Sequence, residues 1–333
     1  MNTPRLLIIG LGSIGERHLR CAQRLGRFAV TCFDINTTLR DAVAVRYGIA
    51  ETYDSLEQAI AAAPAAAVIC VPAHLHVAIA TQLADRGIHL LIEKPLSTSQ
   101  AGIGQLQSLV QQRRIVAGVG YVIRANPTLT AMREVILEGR FGRPVELVAM
   151  AGQDFPFYRP AYRDTYYRDR ATGGGAIQDA LTHLVNAGEW LVGPIDRVAA
   201  DARHAVVPGV DVEDTVHVLA RHGEITACYS LNQYQAPNEF TITVVCQRGT
   251  LRFELHENRW RWMVEPGNTW HDEAGAPIER DDLFATQLHT FCDAIERRSP
   301  LLCTLDEGAQ TLRVNLAILK SLETAGWVST AAS

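Results

Sequence analysis

The sequence predicts an α/β protein with an N-terminal doubly wound parallel sheet and a C-terminal α/β domain on an open, mostly antiparallel sheet. Three observations predict this fold. A glycine-rich turn joins a strand-like run to a helix-forming run, such runs alternate up to about residue 120, and strand-like runs joined by short turns dominate after it. Because 333 residues are too many for one ordinary core, we predict two domains, 1–122 and 123–328.

The first element is the apolar run 5–9, which leads into a glycine-rich turn and then into helix-forming residues. Gly10 permits the tight turn, Gly12 lets backbone amides approach a pyrophosphate, and Gly15 lets the helix pack closely on the strand. The positive end of the helix dipole then faces the phosphates. The predicted cofactor contacts in this turn are Gly10, Gly12, Ser13, Ile14 and Gly15.

A second apolar run, 29–33, ends in Asp34, nineteen positions after Gly15. An acid at this position accepts hydrogen bonds from the adenosine ribose hydroxyls in a Rossmann dinucleotide site. Its carboxylate would repel a 2′-phosphate, and Ile35 and Asn36 supply no arginine to neutralise one. The first domain is therefore predicted to bind NAD in preference to NADP.

The remaining elements of the first domain alternate as a parallel sheet requires. Predicted helices cover 37–47, 55–63, 74–86 and 99–113, and predicted strands cover 67–71, 88–92 and 115–119. In the second domain, helices are predicted over 126–138, 175–191, 283–297 and 305–325. Strands are predicted there over 145–149, 197–202, 214–221, 224–231, 240–245 and 249–255. Tight turns between successive strands indicate antiparallel pairing.

Composition and charge narrow the classes of function. Hydrophobic residues make up 47% and charged residues 20% of the chain, as in soluble globular proteins. A net charge of -5, without a basic run, argues against a nucleic-acid partner. Seven cysteines without a C-x-x-C pair favour a reducing compartment. We expect a cytoplasmic protein with no membrane partner, since no signal peptide or spanning segment is recognisable.

Five motifs follow one another along nearly the whole chain. They are Gly10-Leu-Gly-Ser-Ile-Gly15-Glu-Arg-His18, Val71-Pro72-x-x-x-His76, Glu93-Lys94-Pro95, Tyr121-x-x-Arg124-x-x-Pro127 and Gly173-Gly-Gly175-x-x-x-Asp179-x-x-x-His183. With these motifs the sequence resembles the Gfo/Idh/MocA family of oxidoreductases. The resemblance implies sugar, polyol or related substrates, and a second domain whose exposed sheet face packs against another subunit in a homodimer or homotetramer.

Lys94 follows a predicted strand of the parallel sheet, at the end where ligands bind in such sheets. The resemblance implies that this lysine assists proton transfer or holds the hydroxyl being oxidised, and that Pro95 forms a cis bond that orients it. It also makes Val71, Pro72, His76, Glu93 and Lys94 candidate cofactor contacts, with His76 on the nicotinamide side. The alternative for Lys94 is a solvated lysine beside a turn.

Asp179 and His183 are four residues apart, so one helical face carries both side chains. Oxidising an alcohol requires a base for the hydroxyl proton, and histidine titrates in the useful range. His183 is the candidate base, with Asp179 orienting it or contacting the substrate. Which of Lys94 and His183 takes the proton stays open, and so does the reading of Asp179 and His183 as an ordinary surface pair.

Further candidate substrate contacts are Tyr121, Arg124 and Tyr158. Arg124 could equally be a salt-bridged hinge residue. Tyr158 belongs to 157–170, which holds four tyrosines and four arginines. Such residues stack on sugar rings and bind carboxylate or phosphate oxygens, which makes an anionic sugar one possible substrate. The alternative is a surface loop with internal Arg-Asp pairs.

No group of residues has the spacing of a metal site. The acids Asp211, Glu213 and Asp214 are interpreted as a hydrated turn. The leading functional hypothesis is an NAD-dependent sugar or polyol dehydrogenase, which acts on CH-OH groups. One alternative is a redox-neutral glycosidase or epimerase that keeps NAD bound, and another is a non-enzymatic NAD-binding sensor.

Overall fold

The computed structural model describes residues 3–331. It divides into two compact units, each built from two segments of the chain. The first unit comprises Met1–Ala125 and Glu279–Ala309, and the second comprises Asn126–Ile278 and Gln310–Ser333. The domain boundary after residue 122 stays a prediction. In the structure, the first unit also includes the later segment Glu279–Ala309.

The first unit contains a parallel sheet of six strands. They are β1 (Arg5–Ile9), β2 (Ala29–Phe33), β3 (Thr52–Tyr53), β4 (Ala66–Ile69), β5 (His89–Ile92) and β6 (Ala117–Val119). Their order is β3-β2-β1-β4-β5-β6, the Rossmann order, so the predicted doubly wound sheet is confirmed. The two-residue strand β3 was not predicted, because it is too short to produce a pattern.

The described residues contain ten α-helices. They are α1 (Ser13–Leu25), α2 (Thr37–Tyr47), α3 (Leu56–Ala61), α4 (His76–Asp85), α5 (Ile103–Arg113), α6 (Pro127–Leu137), α7 (Phe155–Tyr158), α8 (Thr182–Val192), α9 (Arg280–Ile295) and α10 (Leu305–Thr324) within residues 3–331. Side-chain caps explain where several of these helices begin. Asn36 accepts the amide of Leu39 at 3.1 Å, and Asn126 accepts the amide of Thr128 at 2.9 Å.

The helix α9 packs on α1 within the first unit. Asp281 accepts hydrogen bonds from Arg17 at 2.8 Å and from Arg20 at 2.7 Å, and Arg27 lies 2.6 Å from Asp293. The buried face of α9 includes Phe284, Leu288 and Phe291, which join the core cluster around β1. A segment from beyond residue 278 therefore completes the first unit, although the sequence analysis assigned it to the second domain.

The second unit is built on a sheet of nine strands. They are β7 (Pro144–Asp154), β8 (Arg197–Arg203), β9 (Thr215–His222), β10 (Ile225–Asn232), β11 (Tyr234–Cys246), β12 (Gly249–Glu254), β13 (Arg259–Met263), β14 (His271–Ala274) and β15 (Val328–Ser329). The order is β14-β13-β12-β11-β7-β10-β9-β8-β15. Among the described residues, β7 and β10 form the only parallel pair of this nine-stranded sheet, which confirms that it is mostly antiparallel.

One face of this sheet is covered and the other is open. Along β7 the side chains of Leu147 and Ala149 are buried, whereas those of Val148 and Met150 are exposed. Side chains alternate between the two faces of a strand, so this pattern identifies the open face. No helix within residues 3–331 is both long and apolar enough to cross a membrane.

Candidate active site

The glycine-rich turn after β1 has the geometry that a bound pyrophosphate requires. Gly10 has a φ of +86°, and a Cβ atom on Gly15 would lie 1.8 Å from the carbonyl oxygen of Gly10. A Cβ atom on Gly12 would meet nothing within 4 Å. Gly12 caps α1 without a side-chain hydrogen bond to the first-turn amides. Two glycines are thus required by the protein's own packing, while Gly12 keeps open space in front of the helix dipole, where NAD phosphates fit. Ser13 and Ile14 form the first turn of α1.

Asp34 lies at the end of β2 beside this turn. Its Oδ2 accepts the amide of Leu11 at 2.7 Å, and its Oδ1 accepts the amide of Asn36 at 2.8 Å. Each carboxylate oxygen has two lone pairs, so both can still accept a ribose hydroxyl. The two amides hold the negative charge in one place, which supports the predicted role of Asp34 in favouring NAD.

The other cofactor candidates stand at the same edge of the sheet. Because all six strands are parallel, the residues that follow β1, β2, β4 and β5 meet at one edge. Val71 and Pro72 come after β4, and Glu93 and Lys94 come directly after β5. This is the edge at which open parallel sheets bind ligands.

The carboxylate of Glu93 has partners inside the protein. His18 Nε2 lies 2.6 Å from Oε1, and the backbone amide of Lys94 donates to Oε2 at 3.1 Å. Burial by itself raises the pKa of Glu93, but the His18 hydrogen bond and charge, with a smaller contribution from Lys94, hold the pKa below its ordinary value. Glu93 is therefore ionised and His18 Nε2 donates to it. Contact of Glu93 with the cofactor stays a prediction.

The Lys94–Pro95 peptide bond is cis, as the family resemblance implied. The imidazole of His76 contacts this loop. Its Nδ1 lies 3.0 Å from the carbonyl oxygen of Pro95, and its Nε2 lies 2.7 Å from the carbonyl oxygen of Val71. Burial lowers the pKa of His76, although both carbonyl oxygens oppose this shift. The imidazole thus links the loops after β4 and β5, and its contact with nicotinamide stays a prediction.

Tyr121 and Arg124 follow β6 and are both buried. Arg124 Nη1 donates to the carbonyl oxygen of Leu302 at 3.0 Å and to Glu307 Oε1 at 2.5 Å. Burial raises the pKa of Glu307, but the charge and hydrogen bond of Arg124 together with the hydrogen bonds from Thr304 outweigh burial and lower the pKa. The salt bridge considered for Arg124 is thus present in the structure. Substrate binding by Tyr121 and Arg124 stays a prediction.

In the second unit, Asp179 lies in the π-helical turn Ile177–Leu181, and His183 lies in the first turn of α8. Both side chains are half-buried. A π-helical turn inside a helix frequently marks a functional site, and no sequence pattern pointed to this one. The predicted proximity of Asp179 and His183 on one helix is consistent with this arrangement, and their catalytic roles stay predictions.

The start of that helix is held by Glu213, which does not lie in a hydrated turn. Glu213 Oε1 accepts the amide of Ile177 at 3.1 Å, and its Oε2 accepts Arg170 Nε at 2.7 Å. A Cβ atom on Gly175, whose φ is +84°, would lie 2.4 Å from Glu213 Oε1. Asp214 accepts three backbone amides, from residues 205–207. The interpretation of these acids as a hydrated turn is wrong for Glu213 and Asp214, since both are buried.

The tyrosines of the segment 157–170 divide into two pairs. Tyr162 and Tyr167 are buried, and their hydroxyls donate to the Pro208 carbonyl and to Gln233. Tyr158 and Tyr166 are exposed. Half of the tyrosines therefore serve the core of the loop, and the other two are exposed. Contact of Tyr158 with substrate stays a prediction.

Two of the four arginines in this segment bind groups of the protein. Arg163 Nε donates to the carbonyl oxygen of Pro208 at 3.0 Å, and Arg170 pairs with Glu213. Both partners lie outside the segment 157–170, so these contacts are not the internal Arg-Asp pairs of the alternative interpretation, which stays a prediction. Among residues 3–331, no group of three or more His, Cys, Asp and Glu side chains has the arrangement of a metal site.

Two family descriptions match most of the chain. Residues 5–121 match "Oxidoreductase family, NAD-binding Rossmann fold", and residues 129–252 match "GFO/IDH/MocA C-terminal domain". A 1,5-anhydro-D-fructose reductase of Ensifer adhaerens is 26% identical over 335 residues, covering 95% of this chain and 96% of the relative. A UDP-N-acetylglucosamine 3-dehydrogenase of Acidithiobacillus ferrooxidans is 24% identical over 334 residues, covering 95% and 96%.

A solved structure of levoglucosan dehydrogenase in complex with NADH and levoglucosan has the same fold. Its TM-score is 0.90 at 20% identity, and the match covers 99% of this chain and 100% of that one.

Proposed function

The chain belongs to the GFO/IDH/MocA family of NAD-binding oxidoreductases, and on that premise we propose that it is an NAD-dependent dehydrogenase acting on a hydroxyl group of a sugar, polyol or sugar derivative. The observation that carries the proposal is the edge of the parallel sheet, where the open glycine turn and Lys94 follow the carboxyl ends of β1 and β5. Three similar proteins are named for reactions of carbohydrates, which supports the substrate class.

Bound NAD⁺ would supply the hydride acceptor, and the protein supplies the groups that bind the alcohol and remove its proton. In the forward direction, the C–H and O–H bonds of the alcohol break, a ketone forms, and NADH and one proton are released. His183 or Lys94 takes the hydroxyl proton, and Asp179 orients His183 or binds the substrate. The Glu93 carboxylate accepts the backbone amide of Lys94, which fixes the backbone from which the lysine side chain extends.

A coupled assay and ligand analysis test this function. The purified protein is denatured, and the released small molecules are identified by mass spectrometry. The protein is then incubated with NAD⁺ and a panel of neutral sugars, polyols and nucleotide sugars. We expect the reduced-nicotinamide absorbance to rise with at least one of them, and the product to be two hydrogen atoms lighter than the substrate.

Three outcomes would contradict the proposed dehydrogenase function. Calorimetry could detect no binding of NAD⁺ or NADP⁺. A substrate could be converted without lasting production of NADH, which would indicate a redox-neutral glycosidase or epimerase. NAD could also bind while no panel member reacts or binds, which would favour a sensor.

We also propose that the open face of the second unit contacts a second copy of the chain. The register places Leu219 of β9, Cys228 of β10 and Val148 of β7 in one row across the sheet, with Met150 beside it. Leu219, Val148 and Met150 are all exposed large hydrophobic side chains. Contiguous exposed apolar side chains on a sheet usually mark an interface.

The test is the molar mass of the parent and of Leu219→Asp by light scattering after size-exclusion chromatography. We expect the parent to be a dimer or tetramer and the variant to dissociate, because an aspartate would be buried without a partner. A monomeric parent protein would contradict the interface.

A further inference from the structure

A tyrosine outside the five motifs contacts a predicted site residue. The hydroxyl of Tyr166 donates to Asp179 Oδ1 at 2.6 Å. This distance lies in the range of charge-assisted O–H···O⁻ hydrogen bonds, which are roughly twice as strong as neutral ones. Tyr166 is 42% exposed, so the residue is not part of the buried core of the second unit.

The backbone of Tyr166 is held from several sides, although its ring is exposed. Its carbonyl oxygen accepts the hydroxyl of Thr172 at 2.9 Å. The ring of the next residue, Tyr167, is buried 4.4 Å from the ring of Phe155. A Cβ atom on Gly174 would lie 2.2 Å from the Tyr167 carbonyl oxygen and 2.6 Å from that of Tyr166. The 3₁₀ turn Tyr166–Arg168 therefore packs directly against the glycines that precede the helix of Asp179.

Hydrogen bonds also fix the backbone turn that carries Asp179. It occupies the middle of the π-helical turn Ile177–Leu181, whose first amide is bound by Glu213. Gln178 Nε2 donates to the carbonyl oxygen of Arg170 at 2.9 Å, which ties the turn to the segment that carries Tyr166. Two rigid backbones thus place a hydroxyl and a carboxylate at a fixed separation. Such preorganisation is typical of residues that position a catalytic group.

We infer that Tyr166 is a positioning residue for the reaction, and that its hydroxyl fixes the carboxylate of Asp179 in the orientation that the reaction uses. This inference rests on the proposed dehydrogenase function. A carboxylate with two rotatable bonds loses orientation when one of its donors is removed, and small misplacements of a site group cost large factors in rate.

The variant that tests the inference is Tyr166→Phe, which removes one oxygen atom and keeps the ring. We expect kcat/KM for the sugar to fall by about tenfold, within the range of measured side-chain couplings. We expect the affinity for NAD⁺ and the melting temperature to stay unchanged. An unchanged kcat/KM would overturn the inference.

A double-mutant cycle with Asp179→Ala separates positioning from a general structural role. If Tyr166 acts through Asp179, then adding Tyr166→Phe to Asp179→Ala causes no further loss in the single-turnover rate measured with enzyme in excess. An equal loss in both backgrounds would overturn the inference.

A crystal structure of Tyr166→Phe is the second measurement, and it does not depend on activity. We expect the Asp179 carboxylate to adopt a different rotamer or several rotamers. A single, unchanged rotamer would overturn the inference.

Tyr162→Phe is the matched control, because it removes a tyrosine hydroxyl from the same segment. This hydroxyl donates to the Pro208 carbonyl in the core of the loop. We expect Tyr162→Phe to lower the melting temperature without changing the coupling to Asp179.

A different result would contradict the proposed dehydrogenase function. That result is a parent protein that reduces no NAD⁺ with any sugar.

Discussion

The imidazole Nε2 of His18 lies 2.6 Å from Oε1 of Glu93, and both side chains are buried in the first unit. The ring of Phe284 meets the imidazole edge-on at 5.4 Å. A Cβ atom on Gly120 would lie 3.0 Å from Glu93 Oε1, so a side chain at this position would crowd the carboxylate. The pair joins α1 to the backbone that carries Lys94.

His18→Ala is expected to lower the free energy of unfolding by about 3–5 kcal/mol, because it leaves the buried Glu93 carboxylate without its main donor. Urea unfolding followed by circular dichroism measures the loss. His289→Ala is the matched control. His289 also pairs with a carboxylate, Asp293 at 3.2 Å, but its side chain is exposed. Its removal should cost no more than about 1 kcal/mol. Equal losses in the two variants would contradict the burial argument.

Acid should remove the stabilisation that Glu93 provides. Burial raises the pKa of Glu93, but the hydrogen bond and charge of His18, together with the smaller contribution of Lys94, hold the pKa below the ordinary 4.5. A carboxyl with a lowered folded-state pKa stabilises fully above its unfolded pKa, and the effect disappears as pH falls through the folded-state pKa. Unfolding free energies of the parent and Glu93→Gln should therefore converge below about pH 4.5. A difference that is independent of pH would contradict this assignment.

Gly12→Ala and Gly15→Ala should separate nucleotide binding from folding. A Cβ atom on Gly12 meets nothing within 4 Å, and the residue has a φ of -60°, so Gly12→Ala should keep the parent melting temperature in the absence of NAD. It should weaken NAD binding by at least about tenfold, or about 1.4 kcal/mol, because the methyl group blocks the approach of the phosphates.

In contrast, Gly15→Ala places a carbon 1.8 Å from the Gly10 carbonyl oxygen. It should therefore destabilise the fold itself by about 1–3 kcal/mol. Differential scanning fluorimetry with and without NAD⁺ measures both variants. A Gly12→Ala variant with the parent affinity for NAD⁺ would show that the turn does not hold the pyrophosphate.

Asp34→Ala is expected to relax discrimination against NADP⁺. The Leu11 and Asn36 amides fix the carboxylate beside the turn, and a 2′-phosphate would be repelled there. The ratio of the two dissociation constants, measured by calorimetry, should shift toward NADP⁺ by about 10- to 100-fold, or about 1.4–2.8 kcal/mol. Asp41→Ala removes an exposed carboxylate on α2 and should leave the ratio unchanged. A parent protein that already prefers NADP⁺ would contradict the role of Asp34.

Lys94→Ala and His183→Ala are each expected to abolish turnover and to leave NAD⁺ binding nearly intact. The reason is that the proposed roles concern the hydroxyl group of the substrate, whereas the glycine turn and Asp34 hold the nucleotide. Steady-state rates and NAD⁺ titrations of both variants provide the measurement. A variant that keeps the parent rate removes its residue from the mechanism.

Several features could be predicted because they depend on neighbouring residues. Alternating apolar runs predicted the parallel and antiparallel sheets, and three glycines beside a strand predicted the turn after β1. The sequence indicated a buried partner for His18 more weakly. It lies on the buried stripe of α1 with Gly15, Leu19 and Ala22, and a polar residue on such a stripe needs a buried partner.

Other features had no local signal. The partner of His18 is 75 residues away, and Asp281 binds Arg17 across 264 residues. Nothing in the spacing of Tyr166 and Asp179 predicts their hydrogen bond, since the π-helical turn and the packing of Tyr167 bring them together. Glu213 and Asp214 resemble a hydrated turn in sequence, yet both are buried by the loops that they hold.

The amino-acid sequence by itself determined the two types of sheet, the glycine turn and its acid, and the motifs that identify the family. Backbone conformation and the periodic burial of side chains depend on residues a few positions apart, so the order of residues is enough to reveal them. The tertiary structure alone decided which buried polar group meets which partner, and which exposed tyrosine reaches Asp179. Such pairs form only after distant segments pack together, because each buried donor or acceptor must then find its partner among residues remote in sequence.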